Sequence, residues 1–561
     1  MKKILRVLTT SVTIVTLMSL VFHIQSCKDN ENPAPKAQPS FNVNSVAQVS
    51  VQESVDIDVT GISTPGGFKS MAPNIISGSG DVEVTAEPST GATSGEGTVK
   101  FTAGATVGVT VIEITILDNQ NPSLSTTKSV TVNITTETLE DITGIVPDPD
   151  DEFTVEFGLK NTASVVVLKG NINRDITIKK LDDYEWLFRG SIFVIDAEVT
   201  IEPGVTIYYD AESASASFLA IQRNASIIAD GVDAAGLITM TSSNDGLGNG
   251  TDPDGGDWGG LVMNGNAVIN VGTEAEGEGG TGPYGGNDDT DGSGTLNFVL
   301  LKYAGRIIGV DNELNGFSFN GCGSATVLSN LQSYFGEDDG FEWFGGTASI
   351  KRAVSTGSKD DSFDWTHGWR GNAQFLVVEQ LSDRGDRGFE GDNLEADFEA
   401  DPYSSPIISN VTMVGTAGNG EGTIGMRLRH GTKGAIHNAL VTGFKSYGIR
   451  GDDDAVTQAN VDDGSLVVTN SISWKTNQDD ATDGEFGKAG AIWGTDSHYA
   501  NSIDGSNVVL EGGVGVVTQG ALDPSGVYGT LFFESVEFIG AVPAEANWLT
   551  GWALKTDGTT Y

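Results

Sequence analysis

The chain has 561 residues, with 31 Lys+Arg against 76 Asp+Glu and a formal net charge of −45. That balance excludes binding to DNA or RNA through their phosphates, which needs a basic footprint to release counterions. Glycine numbers 74 against 16 prolines with no collagen period, so the chain is turn-rich and folded, all-β rather than helical, and its two cysteines form no disulfide framework.

Lys2, Lys3 and Arg6 precede an apolar stretch from about Val7 to Ile24, which ends in Ile24-Gln25-Ser26-Cys27. A basic start, an apolar run and a small residue before the cut describe a secretory signal. Ile24-Gln25-Ser26-Cys27 resembles a bacterial lipobox, with Gln25 in place of the usual small residue, as in lipoproteins of the Bacteroidota. The resemblance implies that residues 1–26 are removed and that Cys27 is lipidated and holds the protein in the outer membrane. Lys28-Asp29-Asn30-Glu31 looks like the acidic signal that sends such lipoproteins to the cell surface. Residues 27–40 then form a lipidated tether, several acyl chains on one cysteine being enough for stable anchoring.

Residues 41–137 alternate apolar and polar residues in short runs, as in Val55-Asp56-Ile57-Asp58-Val59 and Ser129-Val130-Thr131-Val132-Asn133-Ile134. Clusters such as Ser77-Gly78-Ser79-Gly80 separate them. About seven such strands without a helical period predict a β-sandwich that looks like the Ig-like or cadherin-like modules of surface proteins. It carries no chemical constellation and reads as a spacer. Residues 138–154, with Pro147-Asp148-Pro149-Asp150-Asp151 at their centre, form a linker.

Residues 155–561 are repetitive. One motif recurs as Gly316-Phe317-Ser318-Phe319, Gly340-Phe341-Glu342-Trp343, Ser362-Phe363-Asp364-Trp365, Gly388-Phe389-Glu390-Gly391, Gly425-Met426-Arg427-Leu428 and Gly448-Ile449-Arg450-Gly451. Gly490-Ala491-Ile492-Trp493 is a degenerate copy, and the spacings are 24, 22, 26, 37, 23 and 42. A second column alternates with the first and ends in Asn330, Asn410, Asn438 and Asn470, with Ala353 and Glu379 filling the two intermediate turns. A fixed period of this size means a solenoid. Period-two strands with Gly, Asn and Asp at the corners predict a parallel β-helix, with the asparagines as a ladder whose amides are satisfied from neighbouring coils.

Thr200-Ile201-Glu202-Pro203-Gly204-Val205-Thr206-Ile207 resembles the opening coil of right-handed β-helix proteins from bacterial surfaces, and Gly256-Asp257-Trp258-Gly259-Gly260-Leu261 is similar to their next segment. Phe538-Ile539-Gly540-Ala541-Val542 with Asn547-Trp548 resembles the tail of large surface lipoproteins of the Bacteroidota. The predicted fold is therefore all-β: an Ig-like sandwich followed by a right-handed parallel β-helix over residues 155–561.

Alternation sends Phe341 and Trp343 one way and Glu342 the other. The outward column reads Ser318, Glu342, Asp364, Glu390, Arg427, Arg450 and Ile492, a candidate ligand-binding face through its charged members. Neighbouring carboxylates about 5 Å apart repel by roughly 3 kcal/mol at an effective dielectric near 20. Just before them, Asp338-Asp339, Asp360-Asp361 and Asp386-Arg387 fall at one corner of successive coils. Oxygen ligands from adjacent coils suit Ca²⁺, with Asp338, Asp339, Asp360, Asp361 and Asp386 as the candidate ligands; a solvated acidic face is the other reading.

The right-handed β-helix also resembles the scaffold of pectate-lyase-like enzymes. That resemblance implies, as an alternative, a calcium-dependent polysaccharide lyase in which Arg387 or Arg384 takes the proton beside a uronate carboxyl group, with His367 and Arg370 one coil away. A polygalacturonase-like pattern fits less well, because Thr366-His367-Gly368 follows Asp360-Asp361 too closely and no Arg-x-Lys comes after it. Cys322 reads as a core residue, no zinc spacing exists among the five histidines, and the acidic, Gly-rich loop over residues 272–294 is either mobile or calcium-binding. The first reading is a surface-exposed outer-membrane lipoprotein that binds or adheres to an extracellular polymer, a polysaccharide or another cell-surface polymer. A structural surface layer is the second alternative.

Overall fold

The computed structural model describes residues 37–474 and 514–561, less 44–47, 121, 137, 162, 248–250, 310–311, 417–423, 445–446, 453 and 519. Cys27, the leader, the acidic tetrapeptide and the motif copy at Gly490 lie outside the described residues. Among the described residues, no helix is long and apolar enough to cross a membrane.

The first region is two facing four-stranded sheets. Ser40–Val43, Ser54–Ser63, Ser94–Ala103 and Gly80–Ala86 form one; Gln48–Ser50, Ser125–Thr135, Gly108–Asp118 and Phe68–Ser77 form the other. The period-two pattern places Ile57, Val59, Val99 and Phe101 from one sheet against Ile112, Ile114, Val130 and Val132 from the other, all buried in one core. Residues 138–154 hold one helical turn, Leu139–Thr143, whose first turn is closed by Thr138 and Asp141 capping each other's backbone N–H.

The solenoid opens with an antiparallel pair, Phe153–Lys160 on Ala163–Gly170, which covers the edge that a parallel stack would otherwise leave open. Every later pairing within its two large sheets is parallel. Each coil contributes a short strand, such as Phe341–Phe344, to a nine-stranded sheet, and a long one, such as Ser349–Thr356, to a sixteen-stranded sheet. From Gly294–Lys302 onward, two strand lines of the earlier coils fuse into one long strand per coil.

Those long strands bend at a residue of left-handed backbone conformation: Phe298, Asn330, Arg352, Phe375, Asn410, Asn438 and Asn470, with φ between 51° and 65°. This corrects the asparagine column in two respects. The intermediate turns are filled by Arg352 and Phe375, not by Ala353 and Glu379, and Asn recurs there because its short polar side chain tolerates left-handed backbone. The asparagine amides also do not form a continuous ladder. Asn410, Asn438 and Asn470 bond to the backbone of a C-terminal segment at Phe538, Gly540, Leu522 and Gly520. The described residues of 514–561 therefore add no further coils to the large sheets but lie along the side of the stack.

The interior is built by repetition in register. Phe317, Phe341, Phe363 and Phe389 occupy one position of successive coils. The first three rings stack at 4.8 and 4.9 Å, tilted by 6° and 8°, which matches the spacing of hydrogen-bonded strands. Trp343, Trp365 and Trp369 are each about 1% exposed, so none of the three offers a surface to a sugar ring. Cys322 is a buried free thiol whose pKa burial pushes up to about 12, as befits a core residue.

Removing one ring from this stack leaves a cavity flanked by two rigid neighbours. Phe363→Ala is expected to lower unfolding stability by about 3–5 kcal/mol, measured by denaturant titration. A loss under about 1 kcal/mol would show that the column does not bear on stability.

Candidate functional site

The short strands carry the candidate residues because parallel pairing puts each position above its equivalent. Ser318, Glu342, Asp364, Glu390, Arg427 and Arg450 pair in register along the nine-stranded sheet. Three residues earlier, Asn315, Asp339, Asp361 and Arg387 share a corner. The backbone N–H of Asp361 donates to Asp339 Oδ1 at 2.8 Å, and that of Arg387 to Asp361 Oδ1 at 2.7 Å. Each aspartate thus caps the next coil.

The result is four overlapping carboxylate groups: Asp338–Asp339–Asp360, Asp339–Glu342–Asp364, Asp360–Asp361–Asp386 and Asp361–Asp364–Glu390. Within each, one oxygen per residue lies within 4.8 Å of the others. Two oxygens on opposite sides of a calcium ion, at roughly 2.4 Å each, are about 4.8 Å apart. The expected solvated face is corrected here: Asp339, Glu342, Asp361 and Glu390 are 2–8% exposed, and of the acids in the four groups only Asp360 is exposed.

The cover comes from the acidic, glycine-rich loop. The loop over residues 272–294 is not free. Arg370 holds Asp289 by two bonds of 2.9 and 3.0 Å, and the Gln222 and Asn264 amides both donate to Thr281 O. This fixes Glu278 over the column. There Asn315 Nδ2 donates both to Glu342 Oε2 at 2.6 Å and to Glu278 Oε2 at 3.3 Å. Arg370 is consequently a loop clamp, and His367 pairs through Nδ1 with Tyr284 Oη at 2.8 Å beneath the same loop. Only the acidic and glycine-rich composition of the loop hinted at Glu278.

The two ends of the column differ in charge. Arg387 contacts Asp386 and Glu390 at 2.9 Å and Asp361 at 3.3 Å. Arg429 pairs with Glu390 and with Asp392, which also meets His430 Nδ1 at 2.8 Å. Arg427 and Arg450 share Asp452 at 2.9 and 3.4 Å. Asp338, Asp339, Asp360, Glu342 and Asp364, by contrast, have no basic partner within ion-pair distance among the described residues, and the buried Oδ1 of Asp364 accepts no hydrogen bond. An all-oxygen donor set with an orphaned buried oxygen fits a hard cation such as Ca²⁺.

The carboxyl groups register this crowding. Burial, then Asp360 and Glu278, push Asp338 up to about 8. Burial and Glu313 push Glu278 up to about 7. Burial lifts Glu390 to about 7 even though Arg429 and Arg387 oppose it. Glu342 and Asp364 lie well above the usual carboxylate range for the same reasons, burial first and neighbouring carboxylates second. Arg387 moves upward: burial disfavours its charge, but Asp361, Glu390, Asp386 and Asp360 together outweigh burial. A proton-abstracting base needs the opposite shift. Arg384 is no freer, since it donates to Gly336 O at 2.7 Å and pairs with Asp254 at 2.6 Å.

A family model described as pectate-lyase like beta helix domain matches residues 170–506, more than half of the chain. The chain belongs to this family. A pectate-lyase-like β-helix fits a polysaccharide-related function. No curated protein matches. Among solved structures, a nucleoside hydrolase-related hypothetical protein from Saccharophagus degradans, described as associated with carbohydrate metabolism, is 19% identical over 18% of this chain and 26% of its own. Its TM-score of 0.14 is too low to carry an argument.

The upward carboxyl shifts have a thermodynamic sign. The folded state holds protons that the unfolded chain releases, so without a cation the stabilising contribution of these groups is full below about pH 4 and is lost as pH rises to about 8. A Ca²⁺ ion held by the ionised carboxylates would reverse that loss at the upper end. Melting in EDTA is expected to show a lower Tm near pH 8 than near pH 5, with Ca²⁺ restoring it. Asp364→Asn is expected to raise the Tm in EDTA at the higher pH and to shrink the calcium effect. A Tm indifferent to calcium at both pH values would exclude the cation.

Proposed function

We propose that this protein is a cell-surface lipoprotein, anchored through Cys27, whose right-handed β-helix binds an extracellular polysaccharide with the help of Ca²⁺. The Ig-like region and tether act as a spacer from the membrane. The observation that carries the reading is the run Asp339–Glu342–Asp364, three stacked carboxylates without a basic partner, continuous with the exposed Asp360 at the corner. A cation held there keeps positive charge available to an acidic sugar. Arg427 and Arg450, two and three coils beyond Asp364, extend the same face with cationic groups. A solenoid offers a side face many coils long, which suits a polymer better than a small metabolite.

Binding is preferred to lyase action because Arg387 and Arg384 are both engaged with carboxylates and the Arg387 shift runs against proton abstraction. The test is a panel of uronate-containing and neutral polysaccharides, with Ca²⁺ or EDTA, read for retention and for the absorbance of unsaturated products. The expected result is calcium-dependent retention of acidic glycans without product, weakened about tenfold or more in Glu342→Gln with Asp364→Asn, a difference of about 1.4 kcal/mol. Calcium-dependent product that disappears in Arg387→Ala would replace binding by lyase action.

A further inference from the structure

The long strands present two outward columns beside their bend. One, just before the bend, contains Lys351, Gln374, Ser409 and His437; the other, just after it, contains Gln332, Val354, Val377, Thr412, Leu440 and Ile472. Both are covered by the returning C-terminal segment. The contact is made in a repeated way. Gln332 donates from Nε2 to Leu554 O at 2.8 Å and accepts from Leu554 N at 2.7 Å. Gln374 does the same with Glu534, at 3.0 and 2.8 Å, and Asn438 with Leu522, at 2.8 and 2.9 Å. Three coils therefore each offer a side-chain amide that bonds both polar groups of a single backbone residue.

An amide side chain has one acceptor and a pair of donors, so it can replace a strand neighbour in pairing with extended backbone. Between the pairs, Thr412 Oγ1 accepts from Ala541 N at 2.8 Å, Lys351 donates to Phe532 O at 2.6 Å, and the Asn410 and Asn470 amides donate to further carbonyls. The partners at the reciprocal pairs are two leucines and a glutamate, Leu522, Leu554 and Glu534, and each is bonded there only through its backbone N–H and C=O. What is recognised there is the peptide unit. Apolar contacts then set the position along the face: Ala541, Val542, Leu549, Trp552 and Ala553 pack with Val354 and Val377 in one cluster. The segment enters at Gly520 beside Asn470 and ends at Leu554 beside Gln332, and between them it doubles back, from Phe532 at Lys351 through Glu534 at Gln374 to Gly540 at Asn410.

We infer that this flank of the β-helix is a peptide-binding surface that holds backbone N–H and C=O groups through coil-borne amides, and that its resident ligand is the chain's own segment 520–561, folded on the flank with a helix at Pro524–Tyr528 and a strand at Ile539–Val542. The surface is separate from the acidic column, which lies on the nine-stranded sheet. Because the contact is non-covalent, the segment is expected to stay bound when its connection to the stack is cut, and a second copy of the same peptide is expected to take its place.

The test uses the full chain with a specific protease site inserted between residue 513 and Val514. After complete cleavage, the fragment 514–561 is expected to co-elute with the body in gel filtration and to exchange with labelled synthetic peptide 514–561. In Gln374→Leu with Asn438→Leu, loss of the fragment is expected to be at least about tenfold faster. Hydrogen exchange on the uncut variant separates release from unfolding: the amides of Glu534 and Leu522 lose protection while those of Phe341–Phe344 keep it. Prompt dissociation of the wild-type fragment, or retention and protection unchanged in the variant, would overturn the inference.

Discussion

Everything in this β-helix follows from one geometric constraint: a parallel coil sets each residue about 4.8 Å from its equivalent in the next. Like therefore sits on like. For apolar rings the consequence is favourable, and Phe317, Phe341 and Phe363 stack nearly flat in the interior. For polar outward positions the same spacing multiplies whatever the sequence repeats. Glu342, Asp364 and Glu390 become a line of negative charge because they occupy the position that Phe341, Phe363 and Phe389 occupy on the inside, one residue away.

The chain manages that line in two ways. At the Glu390 end, Arg387 and Arg429 sit among the acids, so burial is offset by ion pairs. At the Glu342 end there is no such offset, and the loop bearing Glu278 adds a further carboxylate instead of a cation. Repeated carboxylates closed off from water and unpaired are an unfavourable arrangement by themselves. They make physical sense when protonated or when a cation completes the site. Along the flank, amides at Gln332, Gln374, Asn410, Asn438 and Asn470 hold the backbone of the C-terminal segment.

The repeat period and the alternation of the motif were readable because burial of every second residue leaves a mark in a single sequence. The register of Glu342, Asp364 and Glu390 follows directly from them, as does the burial of Trp343 and Trp365. The level of exposure did not follow. Alternation says that Glu342 points away from Phe341; it does not say that residues some 60 positions earlier fold over it. Asn410 and Asn438 mislead for a related reason. An asparagine column is compatible with both a side-chain ladder and a left-handed bend, and only the backbone tells them apart. The partners Leu522 and Glu534 carry no signal at all, since it is their peptide groups that are recognised. Arg387 stood out as a cation among acids, which describes a base and a counterion equally well.

The central claim is that the unpaired carboxylates at Asp339, Glu342 and Asp364 are completed by a calcium ion. The most direct measurement is anomalous diffraction from crystals of the full chain grown with Ca²⁺. The account predicts an anomalous peak within ligand distance, about 2.3–2.6 Å, of oxygens from all three residues. A well-ordered column without such a peak, its carboxyl groups hydrogen-bonded to one another in the protonated form, would contradict it.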